Sequence, residues 1–130
     1  MKLFRSMIED SDGLPAMGSS GRSLGVRLGD TSTPDVLAVE PNDMILPNQG
    51  GMSVAPGNPL HLLSHRRPQS LGGSGLDPVW SFEREVLWSG PPIRQGGRRH
   101  GVVAPLRAMT LSEYQSGLSA TRRTWKLFCR

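Results

Sequence analysis

Glycine and proline occur so often in this chain that few of its regular elements are expected to be long. Its 130 residues include 16 glycines and 11 prolines. Because proline cannot donate a hydrogen bond to a strand ladder and glycine weakens helices and strands, this composition favours short elements joined by turns. Three tryptophans, three phenylalanines and one tyrosine still supply enough large apolar side chains for a modest core. We therefore expect a single α+β domain over residues 1–130.

Residues 47–68, PNQGGMSVAPGNPLHLLSHRRP, combine a turn, a short strand and a basic cluster. Two adjacent glycines at positions 50 and 51 allow a close backbone approach, and the apolar residues after them predict a short strand that contains Ser53. The basic residues His65, Arg66 and Arg67 follow a second apolar run. Since a guanidinium matches phosphate oxygens two at a time, this cluster is able to hold a phosphate. The alternative is an exposed basic turn, which composition alone favours.

Alternating apolar residues predict two further strands. Over residues 2–8, alternation places Leu3, Arg5 and Met7 on one face. An arginine on a covered face needs a partner or a ligand; the alternative is that its charged end reaches water along its aliphatic stem. Over residues 80–88 the alternation is clearest, and the two glutamates there fit an exposed face better than a catalytic pair.

The remaining connections are predicted to be mostly irregular. Three segments rich in Gly, Ser, Asp or Pro are predicted to be loops, namely residues 9–29, 70–75 and 89–97. Residues 35–40 fit either a strand edge or a short helical turn. Residues 101–106 predict an apolar strand that Pro105 either ends or restricts to a sheet edge.

The clearest helix begins at Thr110. Thr110 and Glu113 form a capping-box pattern, which explains Glu113 better as a cap than as a catalytic acid. Apolar residues follow at helical spacing, namely Leu111, Tyr114, Leu118 and Trp125. Basic residues suit the C-terminal end of such a helix, namely Arg122, Arg123 and Lys126. The pattern therefore predicts an amphipathic helix at the C-terminus.

Several kinds of site are not predicted. The three histidines, His61, His65 and His100, are accompanied by neither a Cys pair nor helical His spacing, so no metal site is expected. The chain has no dinucleotide-binding glycine motif behind a strand and no P-loop. Its single cysteine, Cys129, cannot form an internal disulfide. No apolar segment has the length of a signal peptide or membrane span, so we expect action in the cytoplasm, with export by a specialised secretion system still allowed.

Charge is distributed unevenly along the chain. Residues 1–43 contain four Lys or Arg against seven Asp or Glu, whereas residues 44–130 contain eleven against four. Thirteen of the fifteen cations are arginines, which favours recognition of phosphates or carboxylates, although a high-GC genome produces the same bias. Because tryptophans lie among these arginines, nucleic-acid binding stays open as a function of the basic half.

The order of these features resembles the small bacterial toxins with an ADP-ribosyltransferase-like fold that are exported by type VI secretion. The motifs that carry the resemblance are Leu3-Phe4-Arg5, Gly50-Gly51-Met52-Ser53-Val54, His100 with the following Gly-Val-Val-Ala-Pro, Ala108-Met109 and the C-terminal helix. The resemblance implies small, curved, mixed sheets of ADP-ribosyltransferase type, with few helices and with NAD in a cleft between the sheets.

The resemblance also implies roles for individual residues. Arg5 and Ser53 are expected on adjoining strands, with Arg5, His65 and Arg66 on the phosphate side of NAD. Ser53 orients the ribose or a neighbouring side chain, and His100 contacts adenosine or the nicotinamide ribose; these two are the candidate catalytic residues. Active members of the family often have Ser-Thr-Ser and a later glutamate, whereas this chain has Met-Ser-Val around Ser53 and Ala104 on its later strand, so the third catalytic position is unassigned.

The function implied is an intracellular bacterial toxin that acts as an NAD-dependent ADP-ribosyltransferase on an unidentified macromolecular target. A cognate immunity or antitoxin protein neutralises it in its own host. Two non-catalytic alternatives stay open. The first is a basic nucleic-acid-binding or adaptor protein, and the second is a degenerate relative that only binds a partner.

Overall fold

A computed structural model describes residues 2–26, 44–46, 51–83, 93–95, 101–103, 105 and 107–130, with residues 93–95 described by their backbone. The strands in this part of the chain are β1 (Lys2–Ser6), β2 (Met44–Ile45), β3 (Met52–Pro56), β4 (Val79–Glu83), β5 (Ile93–Gln95), β6 (Gly101–Val103), β7 (Met109–Thr110) and β8 (Lys126–Cys129). Its α-helix is α1 (Leu111–Ser119), and single 3₁₀ turns cover Pro59–His61, Gln69–Leu71 and Arg122–Thr124. The fold is α+β, as predicted.

Six strands form the main sheet in the order β5-β6-β3-β1-β4-β8, and β2 pairs with β7 in a small second sheet. The expectation of mixed sheets is wrong for the described strands, because every pair between them is antiparallel. Strand β1 lies inside the main sheet, where Leu3 faces Pro56 of β3 on one side and Phe82 of β4 on the other. The type of α+β fold stays a proposal.

The two faces of β1 are covered by different apolar clusters, because successive strand residues point to opposite faces. Leu3 belongs to the larger cluster and Phe4 to the smaller one. The larger cluster includes Met7, Leu24, Ile45, Met52, Val54, Trp80, Phe82, Val103, Tyr114, Leu118 and Trp125. The smaller cluster includes Ala55 and Val79, with Leu62 and Leu71 packed against it. The predicted strands β1, β3 and β4 are thus confirmed as core strands.

Strand β4 confirms the alternation predicted from residue 80 onward. Trp80 and Phe82 are buried in the larger cluster, while Ser81 and Glu83 are partly exposed. Residues 84–88 of the predicted strand lie outside the described residues, as does the prediction for residues 35–40. Among the described residues, no helix is both long and apolar enough to cross a membrane.

One loop prediction differs from the structure, and the structure decides between the two alternatives for Pro105. Residues 89–97 were expected to be loop, but Ile93–Gln95 forms β5 and pairs with β6. A three-residue strand between Pro-Pro and Gly-Gly is too short for alternation to reveal, and its pairing with β6 is what defines it. Strand β6 ends at Val103, before Pro105, and has neighbours on both sides, so the proline ends the strand rather than restricting it to an edge.

Helix α1 begins as predicted but ends earlier. Thr110 is its N-cap, and both hydrogen bonds of the capping box with Glu113 are present. The helix stops at Ser119, so Trp125 lies beyond it and Lys126 begins strand β8. Trp125 still reaches the core, with its ring centroid 5.1 Å from that of Phe82. The helical spacing of Trp125 therefore correctly indicated a buried side chain. The chain buries it through a 3₁₀ turn after α1 and not by continuing the helix.

Arginines from distant parts of the chain contact the loop of residues 9–26. The guanidinium of Arg122 donates from Nε to the Pro15 carbonyl and from Nη1 to Asp12 Oδ2, each at 2.7 Å. Arg130 forms an ion pair with Glu9. Acidic residues near the N-terminus thus form ion pairs with arginines near the C-terminus. The uneven charge distribution along the sequence therefore contributes contacts between the two ends of the chain.

These pairs predict that the fold loses stability in acid. Hydrogen bonding to Arg122 lowers the pKa of Asp12, and hydrogen bonding to Arg130 lowers the pKa of Glu9. A carboxyl whose pKa is lower in the folded state stabilises the fold above its unfolded pKa and loses that contribution as pH falls through the folded pKa. We expect the melting temperature, measured by circular dichroism, to fall as pH decreases from about 4.3.

Arg122→Ala should flatten this pH dependence, because it removes the partner of Asp12. Arg123→Ala is the matched control, since Arg123 is the exposed neighbour of Arg122 in the same 3₁₀ turn. Equal pH dependence in the two variants would assign the acid sensitivity to other groups.

Candidate functional site

The guanidinium of Arg5 lies in the interior and connects three segments of the chain. The residue is 5% exposed. Its Nε and Nη2 donate to the Ser23 carbonyl at 3.1 and 2.8 Å, Nη1 donates to the Ser53 carbonyl at 2.7 Å, and Nη2 lies 3.3 Å from the Gly25 carbonyl. All three nitrogens therefore donate to the protein's own backbone. The alternative in which Arg5 extends to water is wrong for this arginine.

Arg5 occupies the place where β3 separates from β1. Strand β1 pairs with β4 from Lys2 to Ser6, but in the described ladder it pairs with β3 through two residues, Leu3 and Phe4. Beyond Phe4 the Ser53 carbonyl accepts a hydrogen bond from the Arg5 side chain and not from the backbone of β1. A buried charge is tolerated when it is fully hydrogen-bonded, so this arrangement fixes the start of β3 relative to β1.

The Tyr114 side chain contacts β3 on the edge that pairs with β6. The buried Tyr114 hydroxyl of α1 accepts a hydrogen bond from the Met52 amide at 2.9 Å and donates one to the Val103 carbonyl. Met52 and Val103 are register partners of β3 and β6, so the hydroxyl bridges the two strands directly beside Ser53. Helix α1 thereby positions the same strand end that Arg5 positions from the opposite edge.

Ser53 lies between these two contacts and is partly exposed. It faces Val102 of β6 in the register. Its neighbours Met52 and Val54 are buried in the larger cluster, so alternation directs the Ser53 side chain to the opposite face of β3. The predicted proximity of Arg5 and Ser53 on adjoining strands is confirmed, but their contact runs through the Ser53 carbonyl rather than its hydroxyl. His100 lies outside the described residues, so its predicted role stays a prediction.

His65 and Arg66 line a hollow of about 330 Å³, which we call the basic hollow. Its lining also includes Arg22, Ser74, Gly75, Leu76 and Asp77. Arg22 forms a two-pronged pair with Asp77, with Nε to Oδ2 and Nη2 to Oδ1 both at 2.7 Å. Hydrogen bonding to Asp77 raises the pKa of Arg22, so this guanidinium stays charged. The third member of the predicted cluster, Arg67, does not line the hollow, and its Nε is buried.

A glycine lets two segments of the hollow's wall come together. A Cβ added to Gly73 would lie 2.2 Å from the Arg67 carbonyl oxygen and 2.4 Å from that of Ser64, so only glycine fits there. Next to it, the Ser74 amide donates to the Ser64 carbonyl at 3.0 Å. The turn that carries His65 and Arg66 is therefore packed directly against the segment that carries Ser74.

One loop connects the basic hollow to Arg5. Arg66 Nη1 donates to the Gly21 carbonyl at 2.8 Å, while Arg5 binds the carbonyls of Ser23 and Gly25. Arg22, between these positions, belongs to the hollow itself. Two arginines that are far apart in sequence thus hold the same short loop at both ends.

The sequence pattern did not indicate that Arg22, Ser74 and Asp77 line the hollow. The sequence offered one indication of Asp77, because it is the only acidic residue between positions 44 and 82 and lies close to the basic cluster. Proximity in sequence suggests a pair with Arg66 or Arg67, yet Asp77 pairs with Arg22, 55 positions away. Comparison with known proteins adds no assignment: no protein-family model matches the chain, and no curated protein matches it significantly.

Proposed function

We propose that this chain is an intracellular bacterial toxin of the ADP-ribosyltransferase-like group, which uses NAD as its substrate and is neutralised by a cognate immunity protein. The observation that carries the proposal is the 2.7 Å hydrogen bond from Arg5 Nη1 to the Ser53 carbonyl, at the point where β3 leaves β1. The two residues that the family resemblance relates to NAD are thereby joined in one structural unit.

In this proposal Arg5 and Ser53 have different tasks. Arg5 is a positioning residue, because its nitrogens donate to backbone carbonyls, one of them the carbonyl of Ser53. Ser53 supplies a hydroxyl on a partly exposed position of the positioned strand, where it is able to orient a ribose or an adjacent group. NAD supplies the nicotinamide-ribose bond, whose cleavage transfers ADP-ribose to an acceptor and releases nicotinamide. The electronegative group that stabilises the developing positive charge is unassigned.

The arrangement of the described arginines gives the nucleic-acid-binding alternative less support. Most of them have partners within the chain, namely Arg5, Arg22, Arg66, Arg107, Arg122 and Arg130. Arginines that neutralise DNA or RNA phosphates instead form open stripes or patches. The described arginines therefore provide a less basic contact surface than their number suggests.

Ser53→Ala is expected to abolish or strongly reduce growth inhibition when the chain is expressed in bacterial cytoplasm. The substitution removes one partly exposed hydroxyl and keeps the backbone carbonyl that Arg5 binds, so the free energy of unfolding should fall by no more than about 1.5 kcal/mol. Ser116→Ala, at an exposed position of α1, is the matched control and should stay as toxic as the wild type. Growth curves and circular dichroism of the purified variants provide both measurements.

Coexpression with the adjacent gene should restore growth if that gene encodes the immunity protein. A wild-type chain that is harmless in the cytoplasm without any partner gene would refute the toxin proposal. Full toxicity of a stably folded Ser53→Ala variant would remove Ser53 from the site and leave the other proposed residues to be tested.

A further inference from the structure

The geometry points to the basic hollow as a binding site for a phosphate or diphosphate group, with Arg22 as a ligand-binding residue next to Arg66 and His65. This inference extends the proposed function, since under that function the group is the diphosphate of NAD. It also stands without the function, because any phosphate ester presents the same chemistry.

Cationic side chains outnumber carboxylates in the lining of the basic hollow. Arg22 and Arg66 line it together with a single carboxylate, that of Asp77, and His65 and Ser74 add an imidazole and a hydroxyl. This lining favours an anion. A volume of about 330 Å³ lies at the lower end of the range for small-molecule sites, and a diphosphate fits within it.

Asp77 fixes the orientation of the Arg22 guanidinium. Arg22 Nε and Nη2 each donate to Asp77, so Asp77 sets the plane of the guanidinium. Among the described residues, Nη1 of Arg22 has no hydrogen-bond partner, so its two N–H groups remain for a ligand. An arginine oriented by a carboxylate loses less side-chain entropy on binding than a freely moving one, and its planar donors suit phosphate oxygens.

Hydrogen bonds fix the opposite wall of the hollow. Arg66 is held by the Gly21 carbonyl, and the turn that carries it is packed against residues 73–75. Leu76, which is 92% exposed at the rim, offers an apolar surface to the organic part of a phosphate ester. The hollow thus combines two positioned cations with an exposed apolar neighbour, which a purely structural ion pair does not need.

Isothermal titration of the full chain with inorganic pyrophosphate tests this inference. We expect saturable binding at low ionic strength, weakened about tenfold or more by Arg22→Ala and by Arg66→Ala, since each removes a charge-assisted hydrogen bond. Arg107→Ala is the matched control, because Arg107 is also an exposed arginine paired with a carboxylate but does not line the hollow. Arg22→Gln keeps a donor for Asp77 and removes the charge, so it replaces Arg22→Ala if that variant does not fold.

The absence of pyrophosphate binding to the wild type, or equal affinity in all four proteins, would overturn the inference. Displacement of pyrophosphate by NAD and by ADP-ribose, but not by nicotinamide, would assign the hollow to the diphosphate of NAD. Pyrophosphate binding that NAD does not displace would still support a phosphate site, for a different phosphate ester. Toxicity is measured separately, so a wild type that binds pyrophosphate without inhibiting growth would refute the proposed function alone.

Discussion

Arg5→Ala is expected to lower the free energy of unfolding by at least about 3 kcal/mol. The substitution leaves the carbonyls of Ser23 and Ser53 without the guanidinium that they share, and it removes the group that spans the gap between β1 and β3. Hydrogen bonds to a charged group contribute about 1.5 to 3 kcal/mol each, and buried carbonyls that lose their donor add a desolvation penalty. Urea unfolding followed by circular dichroism measures this effect.

Two further variants make the Arg5 test specific. Arg5→Lys should be nearly as unstable as Arg5→Ala, because a single ammonium cannot reach the carbonyls of Ser23, Gly25 and Ser53 at once. Arg107→Ala should change stability by less than about 1 kcal/mol, since its pair with Glu113 is exposed. If Arg5→Ala folds with wild-type stability but loses toxicity, then Arg5 contacts the substrate, as the family resemblance implies, and is not a positioning residue.

Gly25→Ala is the second substitution with a large expected effect. A Cβ at this position would lie 1.8 Å from the carbonyl oxygen of Gly18, a distance that the backbone can relieve only by moving. The Gly25 carbonyl accepts from Arg5, and the segment just before it carries Ser23, so the displacement reaches the same network. We expect a loss of about 3 kcal/mol or more, or failure to fold.

Gly117→Ala makes the same chemical change, but we expect it to raise the free energy of unfolding. Gly117 lies inside α1, and an added Cβ meets nothing within 4 Å. Alanine has the higher helix propensity, so this variant should gain about 0.5 to 1 kcal/mol. Melting temperatures that shift in opposite directions would confirm both expectations. Equal effects would show that the loop around Gly25 relaxes without cost.

The candidate site was only partly predictable from the sequence. Alternation placed Arg5 on the same face of the first strand as Leu3 and Met7, and the residues after the Gly-Gly turn predicted the strand that contains Ser53; both strands are confirmed, whereas only the structure shows that Arg5 is buried. Alternation could not show that Arg5 binds the backbone of Ser53, because that contact depends on where β3 separates from β1. The basic cluster at residues 65–67 was predicted as a unit, yet His65 and Arg66 line the basic hollow and Arg67 does not.

Local interactions determined what could be inferred from the sequence by itself. The N-terminus of α1 follows from the hydroxyl of Thr110 and the carboxylate of Glu113, which lie three residues apart and need no other part of the protein. The strands β1 and β4 follow from alternation over a few residues. The elements that the structure describes are short, as the frequent glycines and prolines predict.

Contacts between distant residues decided the rest, and only the tertiary structure provides them. Asp77 pairs with Arg22 although Arg66 and Arg67 are closer to it in sequence, because the fold brings the loop at residue 22 against the segment at residue 77. Trp125 lies beyond the end of α1 at Ser119 and packs beside Phe82, a residue 43 positions earlier in the sequence. Strand β5 is defined by its pairing with β6. The partner of a side chain depends on the groups that surround it in the folded protein. Neighbours in sequence determine that partner only within one helical turn or one strand.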